Sequence, residues 1–301
     1  MSFDLKTYLA ERRVSVEEML QNLAQKQTFS HSLPGQTPTR LAEAMRYSLL
    51  AGGKRLRPIL AMAGCEAVGG KPETALPFGC AVEMIHTYSL IHDDLPAMDN
   101  DDFRRGRPTN HKVFGDGLAI LAGDALLTDA FGLVVQSAVS ADVVIELVRE
   151  LAFAAGSPGM VGGQVLDVEA TGKRVDLAHL QTLHSMKTGA LFDVSLRGGA
   201  RLGGANHEQL ASIRTYAQAL GLAFQIVDDV LDVTQDLAQL GKDPGSDREA
   251  GKTTYVDLLG VEGAMARARQ VMADGIAALA PLGEQADPLR RLGQYTVERQ
   301  S

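Results

Sequence analysis

Apolar residues recur at spacings of three and four along most of the chain, as they do on the buried face of a helix. Leu41, Met45 and Leu49 give the first clear case. No segment alternates between apolar and polar residues like a half-buried strand, and no repeat or low-complexity linker divides the chain. The pattern therefore predicts a single all-α domain over residues 1–301. It predicts the longest helices at residues 118–135, 143–155, 210–232 and 264–279.

Three polar segments interrupt this pattern. Residues 30–39 carry two prolines, residues 95–116 are charged, and residues 236–254 are rich in Gly, Asp and Lys. The second and third segments begin directly after clusters of aspartates. This placement favours catalytic loops at the mouth of a helical bundle, although long polar loops are often only solvated connections.

Composition narrows the possible functions. A chain of 301 residues with 45% hydrophobic content can fill a sizeable core, and a net charge of -8 disfavours binding to nucleic acid. Cys65 and Cys80 lie in apolar stretches, so we interpret them as buried thiols, which suits a cytoplasmic protein. The first residues contain no apolar run and no later stretch approaches the length of a membrane span. Neither secretion nor membrane insertion is therefore expected.

One aspartate cluster lies in the segment LGLAFQIVDDVLD. Gln225, Asp228, Asp229 and Asp232 fall at helical offsets of three, four and seven, so they share one face of the predicted helix. Carboxylates this close repel one another, which a structural helix tolerates only where the stripe faces water. Because the flanking residues are apolar almost all round, the pattern favours a metal site over a solvated face.

The other cluster lies in HTYSLIHDDLPAMDNDD. His86 and Asp93 are seven residues apart and share a helical face, whereas Asp99 follows Asp93 by six residues. Six residues rotate an ideal helix by about 600°, so Asp93 and Asp99 converge only if the helix breaks between them. Pro96 predicts that break.

Clustered carboxylates favour magnesium, manganese or calcium over zinc or iron. A calcium-binding loop starting at Asp99 is excluded because Phe103 and Arg104 occupy its fifth and sixth positions. A di-iron site needs two Glu-x-x-His pairs, and the sequence contains only the pair Glu83 and His86. Magnesium is therefore the favoured metal.

Basic residues occur in short, separate groups, which suggests two anionic substrates, although each group alone is more often a surface patch. A nucleotide phosphate loop ending at Gly251, Lys252 and Thr253 is rejected because Gly245 is one residue too far away and no strand precedes it. The groups are Lys54, Arg55 and Arg57; Arg104 and Arg105; Lys187; Lys242; and Lys252.

These motifs occur in a fixed order over nearly the whole chain: AGGKRLRP, IHTYSLIHDDLPAMDNDDFRRGRPTNH, GMVGGQVLDV, MKTGALF, AFQIVDDVLDV, and LGKD followed by GKTTY. In this order they resemble the trans-isoprenyl diphosphate synthases, specifically the bacterial-type farnesyl diphosphate synthases. The resemblance implies an all-α isoprenoid synthase fold, a single helical bundle around a deep central cavity, normally as a homodimer. It implies that the two aspartate motifs face each other across that cavity.

The resemblance also assigns roles to individual residues. Three magnesium ions, with manganese as an alternative, would be held by Asp93, Asp99 and Asp228, with Asp94 and Asp232 in support. Asp229 would join Asp93, Asp94, Asp99, Arg104, Lys187 and Asp228 in catalysis. The allylic diphosphate would contact Arg104, Lys187, Thr188, Gln225, Lys242 and Lys252. Isopentenyl diphosphate would contact Gly53, Lys54, Arg57, His86 and Arg105.

The implied reaction is a head-to-tail condensation of isopentenyl diphosphate with dimethylallyl and geranyl diphosphate, giving (2E,6E)-farnesyl diphosphate. The allylic C–O bond ionises, the isopentenyl double bond attacks the carbocation, and the released diphosphate takes the proton. Synthesis of a C10 or C20 product is the closest alternative. A class I terpene cyclase, a non-catalytic partner subunit and a structural helical protein are weaker, because both aspartate motifs and the basic motifs are present.

Product length depends on the cavity floor, for which the resemblance points to the positions just before Asp93. Tyr88 lies five residues upstream, about 7 to 8 Å deeper along a helix. A bulky side chain there would stop growth at farnesyl length. An ideal helix, however, places Tyr88 well off the Asp93 face, and buried tyrosines are often only core residues.

Overall fold

The computed structural model describes residues 3–25, 36–234 and 251–299. Almost all regular structure in these residues is helical. The α-helices are α1 (Leu5–Gln25), α2 (Thr39–Leu49), α3 (Leu56–Glu66), α4 (Pro72–Asp93), α5 (Asn110–Phe114), α6 (Asp116–Val134), α7 (Ala141–Ala155), α8 (Met160–Ala170), α9 (Leu177–His184), α10 (Ala190–Leu202), α11 (His207–Thr234), α12 (Tyr255–Ala278) and α13 (Asp287–Glu298). A π-helical turn (Ser185–Gly189) joins α9 to α10, and a 3-10 helix (Ala280–Ala286) precedes α13.

The helices predicted from apolar spacing are confirmed as α2, α6, α7, α11 and α12. The largest difference in bounds is at α12, which begins at Tyr255 rather than at residue 264. Thr254 and Asp257 form a reciprocal cap, in which each side chain accepts a hydrogen bond from the other's backbone N–H, at 3.2 and 3.0 Å. This capping box satisfies donors of the first turn and so fixes where the helix starts.

The core consists of two buried apolar clusters. One surrounds α4, α6 and α7, and the other surrounds α11, α12 and α13. Helices α3 and α10 contribute to both clusters and pack against each other at backbone contact. A Cβ atom at Gly199 would lie only 1.9 Å from the carbonyl oxygen of Ala61, so glycine is required for this approach. The two clusters are therefore joined through α3 and α10.

The predicted absence of strands needs a small correction. Phe103–Arg104 (β1) and Arg107–Pro108 (β2) form a two-residue antiparallel hairpin within the charged segment after α4. Such short strands leave no alternating pattern to read in a sequence. Gly106, at φ +73°, makes the turn between them.

The expectation that no stretch approaches the length of a membrane span is wrong. Among the described residues one helix, α6, is long and apolar enough to cross a membrane by length and composition. A core helix meets the same criterion, so this is weak evidence for membrane insertion. In the fold, α6 packs against α2, α4 and α5 and buries its small side chains Ala119, Ala122 and Ala130. Cys65 and Cys80 are buried and unpaired, as predicted.

Candidate active site

The second aspartate cluster lies near the end of α11. Asp229 and Asp232 are buried, so the solvated-face alternative fails for both of these residues. The two carboxylate oxygens of Asp229 accept hydrogen bonds from Nε2 of Gln225 at 3.1 Å and from the backbone N–H of Tyr255 at 2.8 Å. Asp229 therefore anchors the start of α12 against α11.

Asp228 is the most open member of this cluster, with 41% of its side chain exposed. The guanidinium of Arg299, just after α13, donates to its carboxylate and to the carbonyl oxygen of Phe224. The same guanidinium lies over the Phe224 ring, 4.2 Å from its centre. The C-terminal arginine, to which the sequence pattern assigned no role, thus covers the second cluster.

The break predicted in the first cluster is confirmed. Helix α4 ends at Asp93, and the following turn brings the backbone N–H of Asp99 to 2.9 Å from the carbonyl oxygen of Asp93. Pro96 stands in this turn, where it cannot continue the helix. Burial, helped by the Asp99 and Asp94 carboxylates and opposed by the charges of Lys187 and Arg104, raises the pKa of Asp93 to about 6.

Asp94 is held differently from Asp93. Its side chain is almost fully buried, and Nε of Arg104 on β1 donates to its carboxylate at 2.6 Å. Arg104 also contacts Asp101 at 3.2 Å. In this arrangement Asp94 and Arg104, predicted as a metal ligand and a diphosphate contact, neutralise each other. They meet because the β1–β2 hairpin turns Arg104 back towards the end of α4.

The open carboxylates fit a magnesium ion that is shared with a phosphate. Among residues 3–25, 36–234 and 251–299, no three His, Cys, Asp or Glu side chains gather into one metal centre. Magnesium, however, usually takes one or two carboxylates and completes its shell with water and phosphate oxygens. Asp93, Asp99 and Asp228 offer such oxygens, because Asp99 is exposed and the other two are partly exposed. The negative charge of Asp99 raises the pKa of Asp93, and a bound cation would relieve this repulsion between the two carboxylates.

Two predicted cations meet around a third residue that the sequence pattern did not single out. Nζ of Lys187, on the π-helical turn, and Nζ of Lys252, before α12, both contact Asp167 of α8. We call Asp167, Lys187 and Lys252 the lysine group. Thr188, next to Lys187, donates to Oε1 of Gln225 at 3.3 Å. These side chains line one cavity of about 100 Å³.

The predicted contacts of the second substrate also lie together. Arg105 donates to the carbonyl oxygen of Gly52, and a Cβ atom at Gly53 would lie 2.8 Å from its guanidinium carbon. Burial lowers the pKa of Arg57 to about 10, and its buried Nε has no hydrogen-bond partner among the described residues. Burial and the charges of Arg57 and Arg105 hold the pKa of His86 well below its ordinary value. We call Arg57, His86 and Arg105 the arginine group.

Arg55 does not join that group, although its sequence neighbours suggested it. Its side chain is fully buried and pairs with Glu17 at 2.8 Å and with Glu83 at 2.9 Å. It also donates to the carbonyl oxygen of Leu49 at 2.8 Å. Arg55 therefore anchors the loop that presents Lys54, and Glu83 is an ion-pair partner rather than an iron ligand.

The remaining predicted residues are distributed as follows. Lys54 is exposed, and its pKa is lowered by burial of its stem and by the charge of Arg299 and raised by that of Asp228. These charges place Lys54 near Arg299 and the second aspartate cluster. Tyr88 is 6% exposed and meets the His92 ring edge-on, with 5.7 Å between ring centres. Lys242 lies outside the described residues.

Asp167 is the main residue that sequence reasoning missed. It stands in the motif GMVGGQVLDV, which contributes to the resemblance, but one carboxylate among apolar residues does not reveal its partners. Lys187 and Lys252 lie 20 and 85 residues from it in sequence. Only the fold brings the three together.

Comparisons with known proteins identify the family of the chain. The profile of the polyprenyl synthetase family matches residues 38–280. The chain is 49% identical to a dimethylallyltranstransferase of Fischerella ambigua, over 99% of this chain and 84% of that protein. It is 47% identical to a chloroplastic geranylgeranyl pyrophosphate synthase of Catharanthus roseus, over 99% of this chain and 82% of that protein.

Two solved structures have a similar fold. An FPP/GFPP synthase of Zymomonas mobilis, in its apo form, superposes with a TM-score of 0.83 at 40% identity, covering 97% of this chain and 98% of that one. A putative farnesyl-diphosphate synthase of Marinomonas sp. MED121 superposes with a TM-score of 0.80 at 38% identity, covering 98% of this chain and all of that one. The all-α isoprenoid synthase fold predicted from the motifs is thereby confirmed.

Proposed function

The chain belongs to the polyprenyl synthetase family and is a prenyl diphosphate synthase, and we propose that its main product is (2E,6E)-farnesyl diphosphate. The substrates would be isopentenyl diphosphate with dimethylallyl and then geranyl diphosphate. The observation that carries the two-substrate condensation is the presence of two separate cation sites, the arginine group and the lysine group. A single-substrate cyclase has no use for the second site.

The lysine group and its neighbours suit the allylic diphosphate. Lys187 and Lys252 supply charge, and the hydroxyl of Thr188, which donates to Gln225 at 3.3 Å, lies at the same cavity. Magnesium, if bound by Asp93, Asp99 and Asp228, would neutralise charge on the leaving diphosphate. The two lysines favour the separated diphosphate over the ester, so they promote cleavage of the allylic C–O bond.

The arginine group suits isopentenyl diphosphate. Arg57 and Arg105 have no carboxylate within ion-pair distance among the described residues, so their charge is available to an anion. His86 is neutral at pH 7 and can donate one ring N–H without adding charge. Held there, the isopentenyl double bond attacks the allylic carbocation that remains once the C–O bond has broken, and the new C–C bond forms. The released diphosphate takes the proton, so no side-chain base is required.

The farnesyl length rests on Tyr88. The names of the relatives differ on length, since the Catharanthus roseus protein is called a geranylgeranyl synthase and the Zymomonas mobilis protein an FPP/GFPP synthase. Burial, with the charge of Asp93, raises the pKa of Tyr88 to about 12, which supports a phenol in the core close to the reacting end. A large ring at that depth favours C15. A C20 product is the second candidate, favoured by the geranylgeranyl synthases among the relatives.

The test is a product analysis. Purified protein is incubated with labelled isopentenyl diphosphate and each of dimethylallyl, geranyl and farnesyl diphosphate, with and without magnesium, and the dephosphorylated alcohols are sized. We expect magnesium-dependent farnesol from the first two and no elongation of the third. Geranylgeraniol as the main product would replace C15 by C20. Cyclic hydrocarbons from one allylic substrate, or no elongation at all, would contradict the synthase proposal.

We further propose a cytoplasmic homodimer. The two unpaired cysteines support a reducing compartment. Large apolar side chains left exposed on α6 and α7, including Leu121, Ile145 and Phe153, support a second copy as their cover. Light scattering of the purified protein would measure the assembly directly, and a monomer at micromolar concentration would refute the dimer.

A further inference from the structure

One carboxylate on α8 lies between two lysines from distant parts of the chain. Oδ2 of Asp167 accepts hydrogen bonds from Nζ of Lys187 at 2.6 Å and from Nζ of Lys252 at 3.1 Å. The residue is 9% exposed. Because both lysines bond to the same oxygen, their ammonium groups are held no farther apart than these two contacts allow.

Asp167 is charged in this arrangement. Burial alone would raise the pKa of its carboxyl, yet the charges and hydrogen bonds of Lys187 and Lys252 lower that pKa below its ordinary value. A carboxylate is therefore present at neutral pH, and it offsets part of the repulsion between the two ammonium groups.

The backbones on both sides are fixed independently of this contact. A Cβ atom at Gly163 would lie 2.2 Å from the backbone nitrogen of Lys187, so α8 touches the π-helical turn directly. The hydroxyl of Thr253 donates to the carbonyl oxygen of Lys173 and accepts from the N–H of Val175, each at 3.2 Å. What remains to be ordered is the pair of long lysine side chains, which have four rotatable bonds each.

The lysines also face the reacting end of the site. Both line the cavity of about 100 Å³ that Asp167, Thr188 and Asp229 also line. The charge of Lys187 also lowers the pKa of Asp93 in the first aspartate cluster. Asp167 and both lysines therefore belong to the cavity in which the allylic diphosphate is proposed to bind.

We propose that Asp167 is a positioning residue for the allylic diphosphate, which holds the ammonium groups of Lys187 and Lys252 side by side for one ligand. The proposal rests on the prenyl transfer proposed above. Ordering these side chains before binding removes an entropic cost that would otherwise weaken binding. A misplaced pair of cations would also lose stabilisation of the leaving group.

Charge alone makes the opposite prediction, which gives the proposal a sharp test. Asp167→Asn makes the site more positive, so an electrostatic role without positioning would tighten the binding of an anion. Positioning predicts that the same change weakens it. The sign of the effect therefore distinguishes the two roles.

The experiment compares Asp167→Asn with Glu150→Gln. Glu150 is a matched control because it is also 9% exposed and also bridges two cations, Arg197 at 3.3 Å and Arg201 at 2.7 Å, on α7 and α10 away from the site. Calorimetry measures the binding of pyrophosphate with magnesium, and steady-state kinetics measures KM and kcat for both substrates. Thermal unfolding confirms that each variant is folded at the assay temperature.

We expect Asp167→Asn to weaken pyrophosphate binding about tenfold and to lower kcat/KM for the allylic substrate about 10- to 100-fold. KM for isopentenyl diphosphate should stay within about twofold, and Glu150→Gln should leave all three values within about twofold. Tighter or unchanged pyrophosphate binding by Asp167→Asn, or an equal loss in Glu150→Gln, would overturn the proposal.

A double-mutant cycle adds a second readout. If Asp167 acts through the lysines, Asp167→Asn should cost much less in a Lys252→Met background than in the natural chain. Full additivity would contradict the proposal. Should the natural protein bind pyrophosphate but elongate no allylic substrate, prenyl transfer would be refuted, while the binding measurements would still decide the role of Asp167.

Discussion

The arginine group and the lysine group both suit a diphosphate, but they differ in whether a carboxylate balances their positive charge. In the lysine group a carboxylate touches the cations directly, at 2.6 and 3.1 Å. In the arginine group the nearest acids pair with Arg55, which faces away from the site. Arg57 is consequently left with a buried Nε that has no partner among the described residues.

This difference fits two ligands of different net charge. A diphosphate bound without metal needs uncompensated cations, and burial of Arg57 strengthens its attraction to an anion because the surroundings are of low dielectric. A diphosphate that arrives with magnesium brings its own positive charge, so carboxylates can stand beside the lysines without repelling it. Under the proposed function, the lysine group would serve the metal-bound substrate and the arginine group the substrate bound without metal.

The largest effect expected is that of Asp93→Asn, which removes a proposed metal ligand. Magnesium-dependent kcat should fall about 10³-fold, equivalent to about 4 kcal/mol in the transition state. KM for isopentenyl diphosphate should change little, because the arginine group is untouched. The measurement is steady-state kinetics over a magnesium titration. Asp124→Asn, at an exposed position on α6, is the control, and equal losses in both variants would contradict a metal-binding role.

The next largest effect is expected from Glu83→Gln, which removes the charge of one of the two ion-pair partners of Arg55. It leaves the buried Arg55 short of a charged partner, so the free energy of unfolding should fall by about 3 kcal/mol. Denaturant unfolding measures this change. KM for isopentenyl diphosphate should rise while the allylic KM stays constant, since Arg55 anchors the loop of Lys54. An unchanged free energy of unfolding would show that Arg55 does not depend on Glu83.

A smaller effect is expected from Arg57→Gln. It removes a cation that has no carboxylate partner among the described residues, so KM for isopentenyl diphosphate should rise about 30-fold, or about 2 kcal/mol, with the allylic KM within about twofold. Arg149→Gln is the matched control, because Arg149 is exposed and, in the described part of the chain, pairs only with Glu146 on its own helix. Parallel increases in both KM values would remove the distinction between the two groups.

Tyr88→Ala is expected to have the smallest effect on rate, because Tyr88 belongs to neither group. Product length should extend beyond C15, while kcat for the first condensation stays within about threefold. Gas chromatography of the alcohols reads the result. Tyr88→Leu guards against loss of stability, since removing a buried ring leaves a cavity. Unchanged product length in both folded variants would rule out Tyr88 as the floor.

The sequence was most informative where function depends on local spacing. Two features follow from the geometry of a single helix in each case. These are the offsets of Asp228, Asp229 and Asp232 in α11 and the break at Pro96 after α4. The different roles of the residues within each cluster could not be predicted from this spacing. Burial separates Asp229 from Asp228, and the hairpin turns Arg104 onto Asp94, and both outcomes depend on neighbouring elements.

The sequence by itself determined the fold class, the two aspartate clusters and the existence of two cation sites, because these rest on helical periodicity and on residue type. Tertiary structure alone decided which cations are compensated. Arg55 and Arg57 are two residues apart, yet one is buried against Glu83 and the other is left for a ligand. Asp167 meets Lys252 across 85 residues. The physical reason is that pairing and burial are set by contacts between distant segments, which local spacing does not encode.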